Sequence, residues 1–166
     1  MIRIRLPADL LSYSEIIDVC CSRNTQYRSD LLSNKQYLLD IGNDYEEYAR
    51  LNDLYRFDTD FPIEPDGVIC NTLSNSHMVE LYNYCLRNTR SGDVYDKILA
   101  FAQNPEIRCP FCGGISNPSQ IDHFLPKSRY GHFSVFPYNL IPICKDCNTE
   151  FKKEFFPTEK NKQLIH

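Results

Sequence analysis

Apolar residues recur at helical spacing through most of the first hundred positions. Ser12-x-x-Glu15 has the form of a capping box and predicts a helix over 13–23, with Ile16, Ile17, Val19 and Cys20 on one side. A longer helical pattern covers 26–54 through Leu31, Leu32, Tyr37, Leu38, Leu39, Tyr45, Tyr48 and Ala49. Gly42-Asn43 predicts a break or kink within it. The run 58–71 is rich in Asp, Pro and Gly and reads as a loop. Two further helices are expected over 76–88 (Met78, Leu81, Tyr82, Cys85) and 92–103 (Val94, Ile98, Leu99, Phe101, Ala102). From Cys109 the texture changes. A glycine-bearing knuckle, Cys109-Pro-Phe-Cys112-Gly-Gly, is followed by a polar loop (115–119) and a short apolar stretch at Ile121, Phe124 and Leu125. An irregular loop (126–137), a short strand (140–143) and a second knuckle, Cys144-Lys-Asp-Cys147-Asn148, lead into a predicted helix over 147–155. A short segment, Ile2–Leu6, precedes the first helix, and no internal repeat is visible.

With 166 residues, 42% hydrophobic and 13% aromatic, the chain can bury a real core and does not have the composition of a disordered one. No stretch approaches the ~18 apolar residues needed to span a bilayer, and the first residues lack the apolar core of a signal peptide. The expected location is therefore the cytoplasm, with no membrane partner. The end at Leu164-Ile165-His166 carries no helix cap and predicts a longer natural tail. The net charge of -4 hides an asymmetry. Residues 1–100 hold ten Lys and Arg against sixteen Asp and Glu, whereas 101–166 hold eight against six. Any phosphate contact is expected in the back part, and tight nonspecific binding to bare duplex is not.

Eight cysteines change the picture further. Cys20, Cys21, Cys70 and Cys85 are scattered and read as buried thiols. Cys109, Cys112, Cys144 and Cys147 form two C-x-x-C pairs, where chance at this cysteine frequency supplies roughly 0.4. In a reducing compartment such pairs read as a metal site, with buried free thiols as the alternative. Thirty-one residues separate Cys112 from Cys144, more than a plain zinc ribbon has, so something is inserted between the two halves of the site.

That insert carries Asp122-His123-Phe-Leu-Pro-Lys127 and Asn139-Leu-Ile-Pro-Ile-Cys144, and the second knuckle ends in Asn148. Over roughly 105–155 the string resembles an HNH endonuclease of the ββα-metal fold. The resemblance implies a small ββα-metal HNH module over 105–166 stapled by a four-cysteine zinc site; with the mainly helical, acidic region over 1–104, read as a docking region, it makes an α+β chain. The resemblance further implies a metal-dependent endonuclease that hydrolyses phosphodiester bonds in DNA. His123 suits a general base. Asp122 and Asn148 supply hard oxygens for a catalytic Mg2+ or Mn2+, and Zn2+ on the four thiolates is structural. Asn139 takes the family's role of orienting the histidine loop. Lys127, Arg129 and Lys152, with Lys145 and Lys153, are candidates to meet phosphate.

Plainer readings stand beside these. Asn139 can cap a turn, Asn148 can cap a helix, and His132, Lys127 and Arg129 can be solvated loop residues. An RNase acting on tRNA or other RNA needs the same site, and a zinc-stapled adaptor needs only the fold. The helical front together with Phe-Pro-x-Asn-Leu-Ile-Pro-Ile-Cys is also similar to the HNH subunit of Septu-type and retron-associated antiphage systems. That similarity implies an ABC-type ATPase partner that controls the nuclease in phage defence.

Overall fold

A computed structural model describes residues 7–24, 26–60, 64, 66–88 and 94–162. The Ile2–Leu6 segment, positions 92 and 93 of the last predicted front helix, and the uncapped end at 164–166 lie outside the described residues.

Helix α1 (Tyr13–Arg23) starts where the capping box places it. The Ser12 hydroxyl accepts from the Glu15 amide at 3.3 Å, and the Glu15 carboxylate accepts from the Ser12 amide at 2.8 Å. Helix α2 (Arg28–Leu51) buries Leu31, Asn34, Leu38, Ile41, Gly42 and Tyr45 along one stripe. It runs unbroken through Gly42, contrary to the expected kink. A Cβ at Gly42 would lie 3.0 Å from the Tyr13 ring and 3.3 Å from Phe136, so the glycine permits close packing rather than a bend. Leu32, assigned to the apolar pattern, is 53% exposed because it falls outside that stripe.

The expected loop over 58–71 includes regular structure among its described residues. It contains part of a short helix α3 (Phe57–Asp60) and a strand β1 (Val68–Cys70), which pairs antiparallel with β2 (Leu73–Ser74). Phe57 and Leu73 are fully buried, and tertiary burial of these side chains overrides the turn-rich composition around them. Helix α4 (Asn75–Leu81) opens on a second capping box, Ser74 with His77. It widens into a π-helical turn over Tyr82–Arg87, and α5 (Tyr95–Ala102) follows.

In the back part, β3 (Gln120–His123) pairs antiparallel with β4 (Leu140–Ile143), with Asp122 opposite Ile141 and His123 opposite Leu140. After the second knuckle the chain makes one π-helical turn, Cys147–Lys152. It ends there, short of the predicted 155, because Lys153 turns sharply at φ 47°. Helices with two small two-stranded sheets make up the mixed fold that was expected.

A single apolar cluster joins both parts of the chain. Tyr45 of α2 packs edge-on to Phe133 at 4.8 Å and Phe136 at 5.0 Å. Ile16, Leu38, Leu125, Val135 and Leu140 belong to the same cluster. The segment 126–137 is therefore no solvated loop. Tyr130, Phe133, Val135 and Phe136 are each 1% exposed or less. His132, read as a solvated candidate, is 1% exposed, its carbonyl accepting the Tyr13 hydroxyl at 2.6 Å. Among the described residues no helix is long and apolar enough to cross a membrane.

Candidate functional site

The two knuckles converge. One Sγ from each of Cys109, Cys112, Cys144 and Cys147 lies within 4.8 Å of all the others, and Cys112 and Cys144 are 3.9 Å apart. Four thiolates around Zn2+ at ~2.3 Å define a tetrahedron with edges of about 3.8 Å, so the cluster needs to contract by an ångström or less. Gly113 and Gly114, at φ 69° and 105°, let the first knuckle turn tightly enough to do this. The amides of Cys144 and Cys147 point at the sulfurs of Cys109 and Cys144, each at 3.5 Å. Burial raises the Cys112 thiol, but the amides of Ser116, Gly114 and Ile115 outweigh it and bring it down to about 6. Burial pushes Cys147 well up. An all-sulfur donor set of this size suits a zinc ion, and the cluster is compatible with one.

Strand β3 leads away from the cluster, and its alternation sets two faces. Gln120 and Asp122 point to the partly exposed side, and Ile121 and His123 are buried on the other. His123 Nε2 lies 2.9 Å from the Ser134 carbonyl, which can only accept, so Nε2 carries the proton and Nδ1 keeps its lone pair free. Tyr82 of the first π-helical turn meets the imidazole edge-on at 4.5 Å. Burial, reinforced by the ammonium groups of Lys127 and Lys152, pushes His123 down to about 3 against the pull of the Ser134 carbonyl. An imidazole in water titrates near ~6.5. The ring is instead neutral throughout the physiological range.

Asn139, fully buried, holds the segment behind the histidine. Its oxygen accepts from the Leu125 amide at 2.8 Å and the Tyr45 hydroxyl at 3.1 Å. Its nitrogen donates to the carbonyls of Leu125 (3.0 Å) and Phe133 (3.1 Å). Asn75, from the helical half, grips the same segment from the other side. It donates to the carbonyls of Lys127 at 3.2 Å and Ser128 at 2.8 Å and accepts from the Gly131 amide.

On the exposed face, Asp122 forms an ion pair with Lys152 at 2.8 Å, and Asn148 donates to Gln120 at 2.8 Å. The π-helical turn Cys147–Lys152 sets Asn148 and Lys152 four residues apart along β3, one opposite each polar residue. Of the phosphate candidates, Lys152 is buried against Asp122 and Arg129 pairs with Asp58 and stacks on Phe156 at 4.7 Å. Lys127 stays beside the site, its ammonium 4.6 Å from the Tyr82 ring centre and 3.3 Å from Asn83. Burial, then Arg87, lowers it from the usual lysine range.

The sequence pattern places Tyr82 on a helix face and gives it no part in the site, and it singles out neither Gln120 nor Asn75. Strand alternation two residues before Asp122 would have found Gln120. No local signal marks Tyr82 or Asn75, which meet the site from about forty to fifty residues upstream.

The chain is similar to protein ea31 of Escherichia phage lambda, 32% identical over 166 residues that make up 98% of this chain and 55% of that protein. It thus spans about half the length of that relative. No protein-family model matches the chain, and no solved structure does.

Proposed function

We propose that the chain is a metal-dependent endonuclease of the HNH type that hydrolyses phosphodiester bonds in DNA. One observation carries the reading: His123 has its Nε2 proton tied to the Ser134 carbonyl and its Nδ1 lone pair free, one residue from a carboxylate facing the other way. A water that gives its proton to Nδ1 becomes the nucleophile at phosphorus. A phosphodiester anion brought beside the ring raises its proton affinity and opposes the effect of burial. Asp122 and Asn148 offer the hard oxygens that would hold Mg2+ or Mn2+, which when bound neutralises charge on the phosphate and the leaving oxygen. Asn139 and Asn75 keep the segment 125–131 from shifting, which holds His123 relative to Asp122. Zinc on the four cysteines is structural: four thiolates leave no open position for water. It ties the Cys109 turn to the start of the turn that bears Asn148. Control by an ATPase partner in phage defence belongs to the same proposal and is checked by co-purification from the native operon.

The test is Mg2+-dependent nicking of plasmid, run beside a digest of total RNA. His123→Ala should lower nicking by ~10²–10⁴ while the melting transition stays cooperative. Undiminished nicking by the variant removes His123 from the chemistry. Cleavage of RNA alone makes the enzyme a ribonuclease.

A further inference from the structure

Lys152 has an unusual environment for a lysine. Its side chain is 2% exposed, and its ammonium sits 2.8 Å from Asp122 Oδ2 and 3.4 Å from the Lys153 carbonyl. Burying a charge this deeply is costly unless a partner compensates it. The backbone is strained in delivering it: Lys153 adopts φ 47° and ψ -126°, a region that L side chains rarely enter. Its amide donates to the Asn148 carbonyl at 3.2 Å, and its own carbonyl accepts from Lys152.

The two oxygens of Asp122 are not equivalent. Oδ2, which faces Lys152, is buried, while the side chain as a whole is 20% exposed, so the exposure falls on its other atoms. The lysine thus approaches from inside and leaves Oδ1 for the open side. Asn148 likewise has one side-chain atom engaged by a neighbour. Its nitrogen is taken by Gln120 at 2.8 Å, which leaves its amide oxygen unspent.

We propose that Lys152 and Gln120 are positioning residues: each occupies the inner atom of one oxygen donor, Asp122 and Asn148 respectively, and so turns the outer oxygen toward a shared divalent cation. The proposal rests on the cation-site reading of those two donors. Lys152 thereby serves the protein from beneath and does not contact substrate. Partners behind metal ligands of this kind are worth about 10–100-fold in metal affinity when removed.

Mn2+ titration of the full chain, followed by the EPR signal of free Mn2+, tests this without any nuclease assay. Lys152→Met should weaken Mn2+ by about 10–100-fold with zinc content unchanged, and Lys152→Arg, which keeps a buried cation on Asp122, should recover most of the loss. Gln120→Leu should weaken Mn2+ in the same direction, and it carries the test if Lys152→Met does not fold. Unchanged or tighter Mn2+ binding in the folded variants overturns the positioning role while leaving the cation site standing. A wild-type chain that binds no Mn2+ overturns the cation site itself, and this proposal with it.

Discussion

His132 sits where a proton is least welcome, and acid should therefore unfold this chain in a calculable way. The ring is 1% exposed, packed between Tyr37 and Phe133, and its Nδ1 has no hydrogen-bond partner among the described residues. Burial pushes its pKa down to about 4, against roughly 6.5 in an unfolded chain. Above pH 6.5 both states are neutral there and the residue adds no pH dependence. As pH falls from 6.5 toward 4 the unfolded chain gains a proton that the folded chain refuses, so stability is lost throughout that window and levels off below it. Between pH 7 and pH 5 the loss from this group alone is about 2 kcal/mol. Urea unfolding of the wild type and of His132→Phe at the two pH values isolates it. The substitution keeps an aromatic ring of similar size and forfeits one contact, to the half-buried Tyr37 hydroxyl at 3.3 Å, so at pH 7 it should change stability by about 1 kcal/mol or less. The cysteine cluster is itself acid-sensitive, but it loses the same amount in both proteins and cancels in the difference. The wild type should then lose about 2 kcal/mol more than His132→Phe on acidification. Equal losses in the two proteins would refute the argument that burial of this ring opposes its protonation.

Other perturbations follow from the same packing. Purified protein should carry about one zinc per chain, and Cys109→Ser combined with Cys112→Ser should abolish it and lower the melting temperature sharply, as elemental analysis and calorimetry can show. Gly131→Ala places a methyl group on the Asn75 side-chain oxygen and must break that clamp, costing about 2 kcal/mol or more in urea unfolding. Gly42→Ala is the control. Its gain in helix propensity, about 1 kcal/mol, offsets the 3.0 Å approach to the Tyr13 ring, so the net change should be small. Asn139→Ala strips four buried bonds at once and should cost about 3 kcal/mol or more, with plasmid nicking falling beyond what the lost stability explains.

What the sequence determined by itself is whatever rests on neighbours a few residues apart. The Ser12/Glu15 cap starts α1 because both partners lie within one turn. The C-x-x-C pairs announce four thiols because each knuckle is local, and the insert between them already contains Asp122, His123 and Asn139. Strand alternation alone sends Asp122 and His123 to opposite faces. Tertiary structure decided the rest. Gly42 looks like a helix breaker until Tyr13 and Phe136 are seen against it. The segment 126–137 looks irregular, yet it is drawn into the core because Asn75 and Asn139 satisfy its backbone groups and Tyr45 packs on its phenylalanines. The depressed pKa of His123 and the burial of Lys152 arise from groups that the chain brings together across tens of residues. Periodicity reports which face a side chain takes. Desolvation and charge pairing depend on what fills the space opposite, and only the folded chain supplies that.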